Sequence, residues 1–249
     1  MRRRTILITG ASSGLGAEMA RQFAAKGHDL ALTARREDRL ADLRDELTKA
    51  HPDRTVVVRR LDVTDHAQVF AVFHALDTEL GGLDRIIVNA GIGKGTPVGT
   101  GRFDANLETT MTNYVAALAQ AEAAMELFRE RNAGHLVFIT SVAGVRGLPR
   151  SLTAYGASKA AVSSLAEGLR MELLGKPIKV SAICPGYVKS ELNDHVKQTP
   201  FIVETEVGVR AMVAAIEAEK GRAYVPAWPW EPLARFMKLA PLPVLRRLI

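Results

Sequence analysis

Tyr155 and Lys159, four residues apart, are the pair in this sequence best suited to acid–base chemistry. On a helix, residues at this spacing lie on one face, one turn apart. An ammonium group beside a phenol favours the phenolate and lowers the pKa of the phenol. A phenol adjusted in this way exchanges a proton near neutral pH, which an ordinary phenol with a pKa of about 10 does poorly. The spacing is common by chance, so its meaning depends on the surrounding elements.

Two further polar residues lie in segments whose pattern predicts burial. The segment Leu136–Ser141 predicts a buried fifth strand, which delivers Ser141 at its carboxyl end. Asn113 lies among apolar neighbours in a long helical stretch, Phe103–Arg131. A buried asparagine needs hydrogen-bond partners, so Asn113 is either a structural residue or one that holds a water.

A glycine-rich turn follows the first predicted strand, Thr5–Thr9, which is apolar enough to be buried on both faces. The turn and the start of the next helix contain Gly10, Ser12, Ser13, Gly14, Leu15 and Gly16. In a strand–turn–helix unit the backbone N–H groups and the helix N-terminus face a phosphate. The spacing Gly-x-x-x-Gly-x-Gly differs from the Gly-x-Gly-x-x-Gly dinucleotide fingerprint, but the glycines serve the same physical purposes. The turn therefore favours a nucleotide phosphate.

The residue after the second strand indicates which nucleotide the turn would bind. The strand Asp29–Ala34 ends at Arg35, with Arg36 beside it. A carboxylate here would accept a hydrogen bond from a free ribose 2′-hydroxyl, whereas an arginine would bind a 2′-phosphate. The sequence therefore predicts NADP(H) rather than NAD(H), against the alternative of an exposed arginine pair without a partner.

Asp62 and Val63 follow the third predicted strand, Thr55–Leu61. Asp62 would be placed to accept a hydrogen bond from an adenine amino group. The alternative is that it, or Asp65, caps the next helix.

Two later strand ends place further groups at the same edge of the sheet. The fourth strand, Leu83–Val88, ends in Asn89 and Gly91, where a doubly wound sheet opens its ligand crevice. After the sixth strand, Lys179–Ile183, comes a turn that contains Pro185, Gly186, Val188 and Ser190. Beyond it, Glu191–Ile202 is polar and irregular and forms a candidate lid.

Strands and helices alternate along the chain, which predicts βαβ units and a parallel sheet. The 249 residues, 47% of them hydrophobic, suit one α/β domain with a full core. We therefore expect a doubly wound, Rossmann-type single domain of about seven strands, over residues 1–226. Residues 227–249 form an apolar and basic tail, either part of that domain or peripheral to it.

Composition excludes several other classes. The formal net charge of +6 is spread along the chain, with one basic run near the N-terminus, so we expect no nucleic-acid partner. The single cysteine, Cys184, lies in an apolar run and is expected to be a buried thiol. No ligand pattern for a metal is present. No uninterrupted apolar stretch of about 18 residues exists, so we expect no spanning helix and a cytoplasmic location.

Taken together, the motifs resemble the short-chain dehydrogenase/reductase family over nearly the whole chain. They follow the family order: Thr9-Gly10-x-x-x-Gly14-x-Gly16, Asp62, Asn89-Ala90-Gly91, Asn113, Ser141, Tyr155-x-x-x-Lys159 and Pro185-Gly186. The resemblance implies an oxidoreductase that transfers hydride between a nicotinamide cofactor and a ketone or secondary alcohol. One departure is Ser190, where the family often has threonine, and it leaves the hydroxyl in place.

The resemblance also implies individual roles. Tyr155 would be the general acid, Ser141 would hydrogen-bond the carbonyl oxygen, Lys159 would hold the nicotinamide ribose, and Asn113 would position a water. Cofactor contacts would come from Gly10, Ser12, Ser13, Gly14, Leu15, Gly16, Arg35, Asp62, Val63, Asn89, Gly91, Tyr155, Lys159, Pro185, Gly186, Val188 and Ser190. We also expect a homo-dimer or homo-tetramer formed through the long helices that flank the fifth strand.

Apolar residues near the expected substrate mouth, among them Ile92, Leu148, Tyr187 and Phe201, favour an apolar or lipid-type carbonyl substrate. One alternative is a reductase of small soluble ketones or hydroxy acids. Another is a binding protein that senses NADP(H) without turnover, although such a sensor has no need of a proton-transfer set. The tail either packs on the protein or makes peripheral membrane contact.

Overall fold

The computed structural model describes residues 3–191 and 199–248. Seven strands form one sheet in the order β3-β2-β1-β4-β5-β6-β7, and every pair is parallel. The strands are β1 Thr5–Thr9, β2 Asp29–Ala34, β3 Val56–Arg60, β4 Arg85–Val88, β5 Gly134–Ile139, β6 Ile178–Pro185 and β7 Arg222–Val225. The predicted doubly wound, single-domain α/β fold is confirmed, and the strand order reverses between β1 and β4.

Helices cover both faces of this sheet. They are α1 Gly14–Ala25, α2 Glu37–Ala50, α3 His66–Glu79, α4 Phe103–Thr110, α5 Ala116–Arg131, α6 Leu152–Glu172, α7 Thr205–Glu217, α8 Ala227–Leu239 and α9 Leu242–Leu248. One apolar core includes side chains of α3, α5 and α6, and a second includes those of α1, α2 and α7. Because both faces are covered, the strands read as continuous apolar runs rather than alternating ones.

The long helical stretch predicted over 103–131 is interrupted. A π-helical turn, Met111–Val115, separates α4 from α5, and Asn113 lies within it, 2% exposed. A π-turn inserts one residue into a helix and is frequent at functional sites. The sequence pattern did not show this interruption, since the apolar spacing continues through it.

The C-terminal segment packs partly on its own subunit. Trp230, Ala234, Ala240 and Leu245 are buried, and the Nη1 of Arg146 donates to the carbonyl oxygen of Lys238 at 2.8 Å. The tail also leaves a row of large apolar side chains exposed, which includes Trp228, Leu239 and Leu242. Among the described residues, no helix is both long and apolar enough to cross a bilayer.

Candidate active site

The glycine-rich turn after β1 is closed by backbone contacts that leave no room for side chains. Gly10 has a φ of +67°, and a Cβ on it would lie 2.8 Å from the Cα of Ala90. A Cβ on Gly16 would overlap the carbonyl oxygen of Gly10 and lie 2.8 Å from the Nδ2 of Asn89. The turn therefore presses the start of α1 against the ends of β1 and β4, as a phosphate-binding turn requires.

Asn89 holds this turn to the end of β4. Its Nδ2 donates to the carbonyl oxygens of Thr9 at 2.9 Å and Gly10 at 3.3 Å, and its backbone N–H donates to the Thr9 hydroxyl. Two residues later, a Cβ on Gly91 would lie 3.1 Å from the Oδ1 of Asn113 and 3.4 Å from the Nζ of Lys159. The end of β4 therefore connects the glycine-rich turn to Asn113 and Lys159, two residues of the predicted catalytic set.

Arg36, rather than Arg35, reaches the glycine-rich turn. Its Nη2 donates to Ser13 Oγ at 2.7 Å and Ser12 Oγ at 3.0 Å, and its Nε donates to Ser12 Oγ at 3.1 Å. Arg35 is exposed, and its charge lowers the pKa of Asp62. The basic group beside the turn is therefore the second arginine of the pair, a residue that the sequence prediction named only as a neighbour.

Of the two roles that the sequence left open, the helix cap belongs to Asp65, while the adenine contact of Asp62 stays a prediction. The carboxylate of Asp65 accepts from the backbone N–H of Gln68 at 3.0 Å and caps α3. Asp62 accepts from the backbone N–H and the hydroxyl of Thr64 instead. Burial raises the pKa of Asp62, but the Thr64 hydrogen bonds and nearby arginines outweigh it, so the pKa lies below its usual value. Val63, beside it, is buried in the core.

The loop after β6 closes over the same turn. A Cβ on Gly14 would lie 3.5 Å from the Cβ of Ser190, so Ser190 lies directly above the turn. The Glu191 carboxylate accepts from Arg39 Nη1 at 2.7 Å and Arg36 Nη1 at 3.4 Å. These two arginines thus form a site that already holds an anionic group. Residues 192–198 of the predicted lid lie outside the described residues.

The loop after β5 brings Ser141 to the first turn of α6. The Oγ of Ser141 accepts from the backbone N–H of Ala143 at 3.1 Å and shares a hydrogen bond with Tyr155. A Cβ on Gly156 would lie 2.9 Å from the carbonyl oxygen of Ala143, and one on Gly144 would lie 2.7 Å from the backbone of Lys159. Only glycine at these two places allows the loop and the helix to approach closely enough for this arrangement.

Lys159 is 6% exposed, and its Nζ donates to the carbonyl oxygen of Ile139 at 3.0 Å. The same atom lies 6.0 Å from the centre of the Tyr155 ring. Burial lowers the pKa of Lys159 to about 8. The side chain therefore remains mostly cationic at neutral pH, next to Gly91 and the tyrosine.

The pKa of Tyr155 moves in the direction opposite to the sequence prediction. Burial raises it, and the hydrogen bond with Ser141 offsets only part of this increase. The ammonium of Lys159 is directed to Ile139, so it does not hold the phenolate as the spacing alone suggested. The phenol consequently carries its proton at neutral pH, which suits a proton donor rather than a proton acceptor.

The Asn113 side chain connects the loop after β4 to α6. Its Oδ1 accepts from the Ile92 N–H at 2.8 Å, and its Nδ2 donates to the Ile92 carbonyl oxygen at 2.9 Å and to Ser158 Oγ at 3.3 Å. Both amide hydrogens are therefore used by protein groups. This is the structural role that the sequence left open for a buried asparagine, while the water-holding role stays a prediction.

The turn after β6 is supported by the C-terminal segment. A Cβ on Gly186 would overlap the Trp230 indole, so the buried ring of α8 packs directly against this turn. The same ring lies 5.9 Å from the Tyr187 ring and 6.0 Å from the Phe201 ring. No sequence signal pointed to Trp230, because it lies beyond the family motifs.

Further residues at this turn are placed as follows. Pro185 ends β6 and pairs with Val225, and Val188 is buried and forms a bridge with Val203. Cys184 is 2% exposed and burial raises the pKa of its thiol, which confirms the predicted buried cysteine.

The residues at this edge of the sheet fit a nicotinamide dinucleotide. The N-cap Ser13 makes no side-chain capping bond, so the first N–H groups of α1 are available to a phosphate. The glycine-rich turn allows close approach, and Arg36 and Arg39 supply positive charge. Leu15, at the start of α1, packs against the core below the turn.

Comparison with known proteins agrees with this geometry. The family model of short chain dehydrogenases matches residues 4–200. Over 245 residues the chain is 54% identical to an uncharacterized oxidoreductase of Mycobacterium tuberculosis, a match that covers 98% of this chain and 97% of the relative.

Solved structures extend the agreement to the fold. A short-chain dehydrogenase from Sphingobium yanoikuyae in complex with NADPH is 30% identical, with a TM-score of 0.82 over 92% of this chain and 91% of that one. A short chain dehydrogenase/reductase from Burkholderia phymatum in complex with NAD is 24% identical, with a TM-score of 0.84 over 95% and 94% of the two chains, and supports the fold alone. The chain therefore belongs to the short-chain dehydrogenase/reductase family and is an oxidoreductase of that type.

Proposed function

We propose that the protein is an NADPH-dependent reductase of ketones, with Tyr155 as the proton donor. The observation that carries the proposal is the meeting of Tyr155, Ser141 and Lys159 beside Gly91, with a tyrosine whose pKa lies above its usual value. A protonated phenol at this place can supply a proton to a carbonyl oxygen. In the reduction direction the phenol would act as the general acid, and in the reverse direction its phenolate would act as the general base.

The bound cofactor would supply hydride to the carbonyl carbon. Ser141 would donate a hydrogen bond to the carbonyl oxygen and stabilise the negative charge that develops there. Tyr155 would transfer its proton to that oxygen. The buried ammonium of Lys159 would hold the nicotinamide ribose and, once turned from Ile139, stabilise the phenolate that remains. Asn113 would hold the Ile92 backbone against α6 and so fix the position of the helix that carries Tyr155.

The preference for NADPH rests on Arg36 and Arg39. Both arginines already share the Glu191 carboxylate, so the site has the charge and donor geometry for a 2′-phosphate. Arg36 is also fixed by two serine hydroxyls, which reduces the entropy lost when an anion binds. The short-chain dehydrogenase from Sphingobium yanoikuyae, which is 30% identical and was solved in complex with NADPH, agrees with a preference for NADPH.

Replacing Arg36 with leucine tests the cofactor preference. Because a charge-assisted hydrogen bond contributes about 1.5–3 kcal/mol, we expect the KM for NADPH to rise about 10- to 100-fold. The KM for NADH should change less than about threefold. Arg35→Leu is the matched control, and its effect on NADPH should be the smaller of the two. Equal or larger losses with Arg35→Leu, or a wild-type preference for NADH, would contradict this assignment.

The aromatic group of Tyr187, Phe201 and Trp230 supports an apolar carbonyl substrate. Tyr187 follows the turn that would contact the nicotinamide, and the Trp230 ring packs against that turn and against both other rings. Phe201 is 59% exposed. An exposed aromatic side chain beside the expected substrate position favours an acyl or lipid-type chain over a sugar. A small soluble ketone or hydroxy acid is the alternative substrate. A sensor without turnover is disfavoured by the proton-transfer set.

We extend the proposal to a homo-dimer or homo-tetramer. Phe103 and Leu107 on α4, and Met171 and Leu174 at the end of α6, are exposed apolar side chains. Exposed apolar side chains on a protein surface are typical of residues that become buried between subunits. The division of the chain at residue 226 likewise stays a prediction.

The tail offers a second partner, an anionic membrane surface. Leu239 is 86% exposed and Leu242 is 66% exposed, in a segment that also carries Lys238, Arg246 and Arg247. Apolar side chains flanked by basic ones are typical of segments that lie on anionic bilayers. Contact at this place would put the tail that supports Gly186 next to lipid.

Vesicle flotation tests the membrane contact. We expect the protein to float with phosphatidylglycerol vesicles, and the double variant Leu239→Glu/Leu242→Glu to reduce the floated fraction at least threefold. Leu174→Glu, which changes an exposed leucine in the turn after α6, is the matched control and should float like wild type. Absence of flotation, or an equal loss with Leu174→Glu, would contradict the membrane contact and favour a protein partner for the exposed tail.

A further inference from the structure

Arg85 is a buried cation whose hydrogen-bonding capacity is not satisfied. It begins β4, its side chain is 2% exposed, and its Nη1 is buried without a hydrogen-bond partner among the described residues. A buried charge is costly unless it is paired and hydrogen-bonded. This residue takes no part in the proposed reaction, so its environment requires a separate explanation.

The partners that Arg85 has are neutral. Its Nε donates to His135 Nδ1 at 2.9 Å, and its Nη2 donates weakly to the Ile216 carbonyl oxygen at 3.4 Å. Because a guanidinium only donates, His135 Nδ1 accepts, and its Nε2 carries the hydrogen that is donated to Ser181 Oγ at 2.8 Å. Burial and the charge of Arg85 hold the pKa of His135 well below 6.5, so the imidazole brings no charge.

The two carboxylates on the same surface as Arg85, Glu217 and Glu219, are occupied by other cations. Glu219 accepts from Arg3 at 2.9 Å, and Glu217 pairs with Lys26 at 3.0 Å. Within the described ranges, no carboxylate oxygen lies within 4.0 Å of Arg85. Burial lowers the pKa of Arg85 to about 10, with Glu219 acting in the opposite direction, so the side chain stays charged at neutral pH.

Arg85 lines an open cleft of about 920 Å³ at the amino ends of the strands. The other charged residues of the cleft are Arg3, Lys26, Arg131, Lys179, Glu217 and Glu219. Five permanent cations and two carboxylates give this lining a net charge of +3. Lys179, at the exposed rim, has only the carbonyl oxygen of Lys176 as its described partner, at 3.4 Å. Arg131 pairs with Asp77, so among the cations that line the cleft only Arg85 and Lys179 lack a carboxylate partner in the described part of the chain.

This cleft is separate from the carboxyl edge of the sheet, where the glycine-rich turn and Tyr155 lie. Arg85 and His135 pair across β4 and β5 near the start of each strand, whereas Asn89 and Ser141 follow the ends of the same strands. Four residues of β-strand place Arg85 roughly 13 Å from Asn89 along the sheet. A ligand in the cleft would thus bind independently of the dinucleotide.

We infer that this cleft binds a small oxyanion, a phosphate or a carboxylate, through the free Nη1 of Arg85 with Lys179 at the rim. A cation would be repelled by the lining, and a neutral ligand would leave the Arg85 charge uncompensated. An oxyanion satisfies both the charge and the unused N–H with charge-assisted hydrogen bonds. The volume lies within the range of small-molecule sites.

Calorimetric titration of the full-length protein, saturated with NADP⁺ and held at constant ionic strength, tests the inference. The probes are pyrophosphate and citrate. We expect one or both to bind, with Arg85→Met weakening the association at least tenfold and Lys179→Ala about threefold. Methionine suits the first position, because replacing an unpaired buried charge by an apolar side chain of similar size is often tolerated. Lys49→Ala, an exposed lysine outside the cleft, should change nothing.

The two probes distinguish a phosphate ligand from a carboxylate, and the two variants test whether the ligand binds in this cleft. Binding of pyrophosphate alone assigns a phosphate ligand, and binding of citrate alone assigns a carboxylate. Failure of both probes to bind, or binding that both variants leave at wild-type strength, would overturn the site. If Arg85→Met does not fold, Lys179→Ala decides the question, because that side chain is exposed. The result does not depend on the proposed reaction, since neither residue lies at the carboxyl edge of the sheet.

Discussion

Replacing Tyr155 with phenylalanine is expected to lower kcat for ketone reduction by about 10³-fold, the middle of the range for loss of a general acid. The variant removes one hydroxyl and leaves the ring in place beside Lys159. Without that hydroxyl, the site loses the proton donor that shares a hydrogen bond with Ser141. The rate would be followed by NADPH oxidation, and NADPH affinity by fluorescence titration should change less than about threefold.

Tyr224→Phe is the control for this experiment, because Tyr224 lies on β7, outside the site. Its kcat should stay within about twofold of wild type. If Tyr155→Phe retained more than a tenth of wild-type kcat, Tyr155 would not be the proton donor. Retained biological function without turnover would instead favour the NADP(H) sensor.

Replacing Gly16 with alanine is expected to weaken NADPH binding about 10- to 100-fold. A Cβ at this place overlaps the Gly10 carbonyl oxygen and approaches Asn89 Nδ2, so the turn must open. Overpacking of this kind costs about 1–3 kcal/mol, and each 1.4 kcal/mol is tenfold in affinity. The measurement is a fluorescence titration with NADPH, accompanied by thermal unfolding, in which the Tm should also fall.

Gly168→Ala separates this effect from the general cost of changing a glycine. Gly168 lies on an exposed face of α6, and a Cβ there meets nothing within 4 Å. Alanine in a helix interior should stabilise the protein by about 0.5–1 kcal/mol and leave NADPH binding unchanged. Wild-type affinity in Gly16→Ala would show that the turn does not approach the cofactor.

The strands and the edge where the site lies could be predicted because few physical rules decide them. Apolar runs such as Thr5–Thr9 must be buried, and parallel strands place their carboxyl ends at one edge. Ser141, Asn89 and the glycine turn then meet without further information. The break of the helix at Asn113 was not predictable in this way, since a π-turn keeps the apolar face of its helix.

The arginine that faces the turn could not be chosen from the sequence. Arg35 and Arg36 are consecutive, and β2 ends at Ala34, so the alternation of the strand no longer fixes where each side chain points. The structure brings Arg36 to Ser12 and Ser13, and it leaves Arg35 near Asp62. Spacing likewise places Tyr155 and Lys159 on one face, but it does not reveal that Lys159 donates to Ile139.

Long-range contacts explain what else was missed. Trp230 supports Gly186 from a helix 44 positions later, and Arg85 meets His135 across 50 positions. No local pattern encodes either contact, because each depends on how the strands and the tail are arranged in space. The aromatic group of Tyr187, Phe201 and Trp230 and the buried cation Arg85 became visible only with the fold.

The measurement that tests the central proposal most directly is transfer of deuterium from NADPH labelled at its transferable position. The purified protein would be incubated separately with the soluble metabolites and with the lipid extract of its source cells, and products identified by mass spectrometry. We expect deuterium on the carbinol carbon of an apolar alcohol in the lipid extract, and no label when Tyr155→Phe is used. Label only in a soluble alcohol would contradict the apolar substrate, and label in neither extract, with NADPH binding demonstrated, would contradict the proposed reductase.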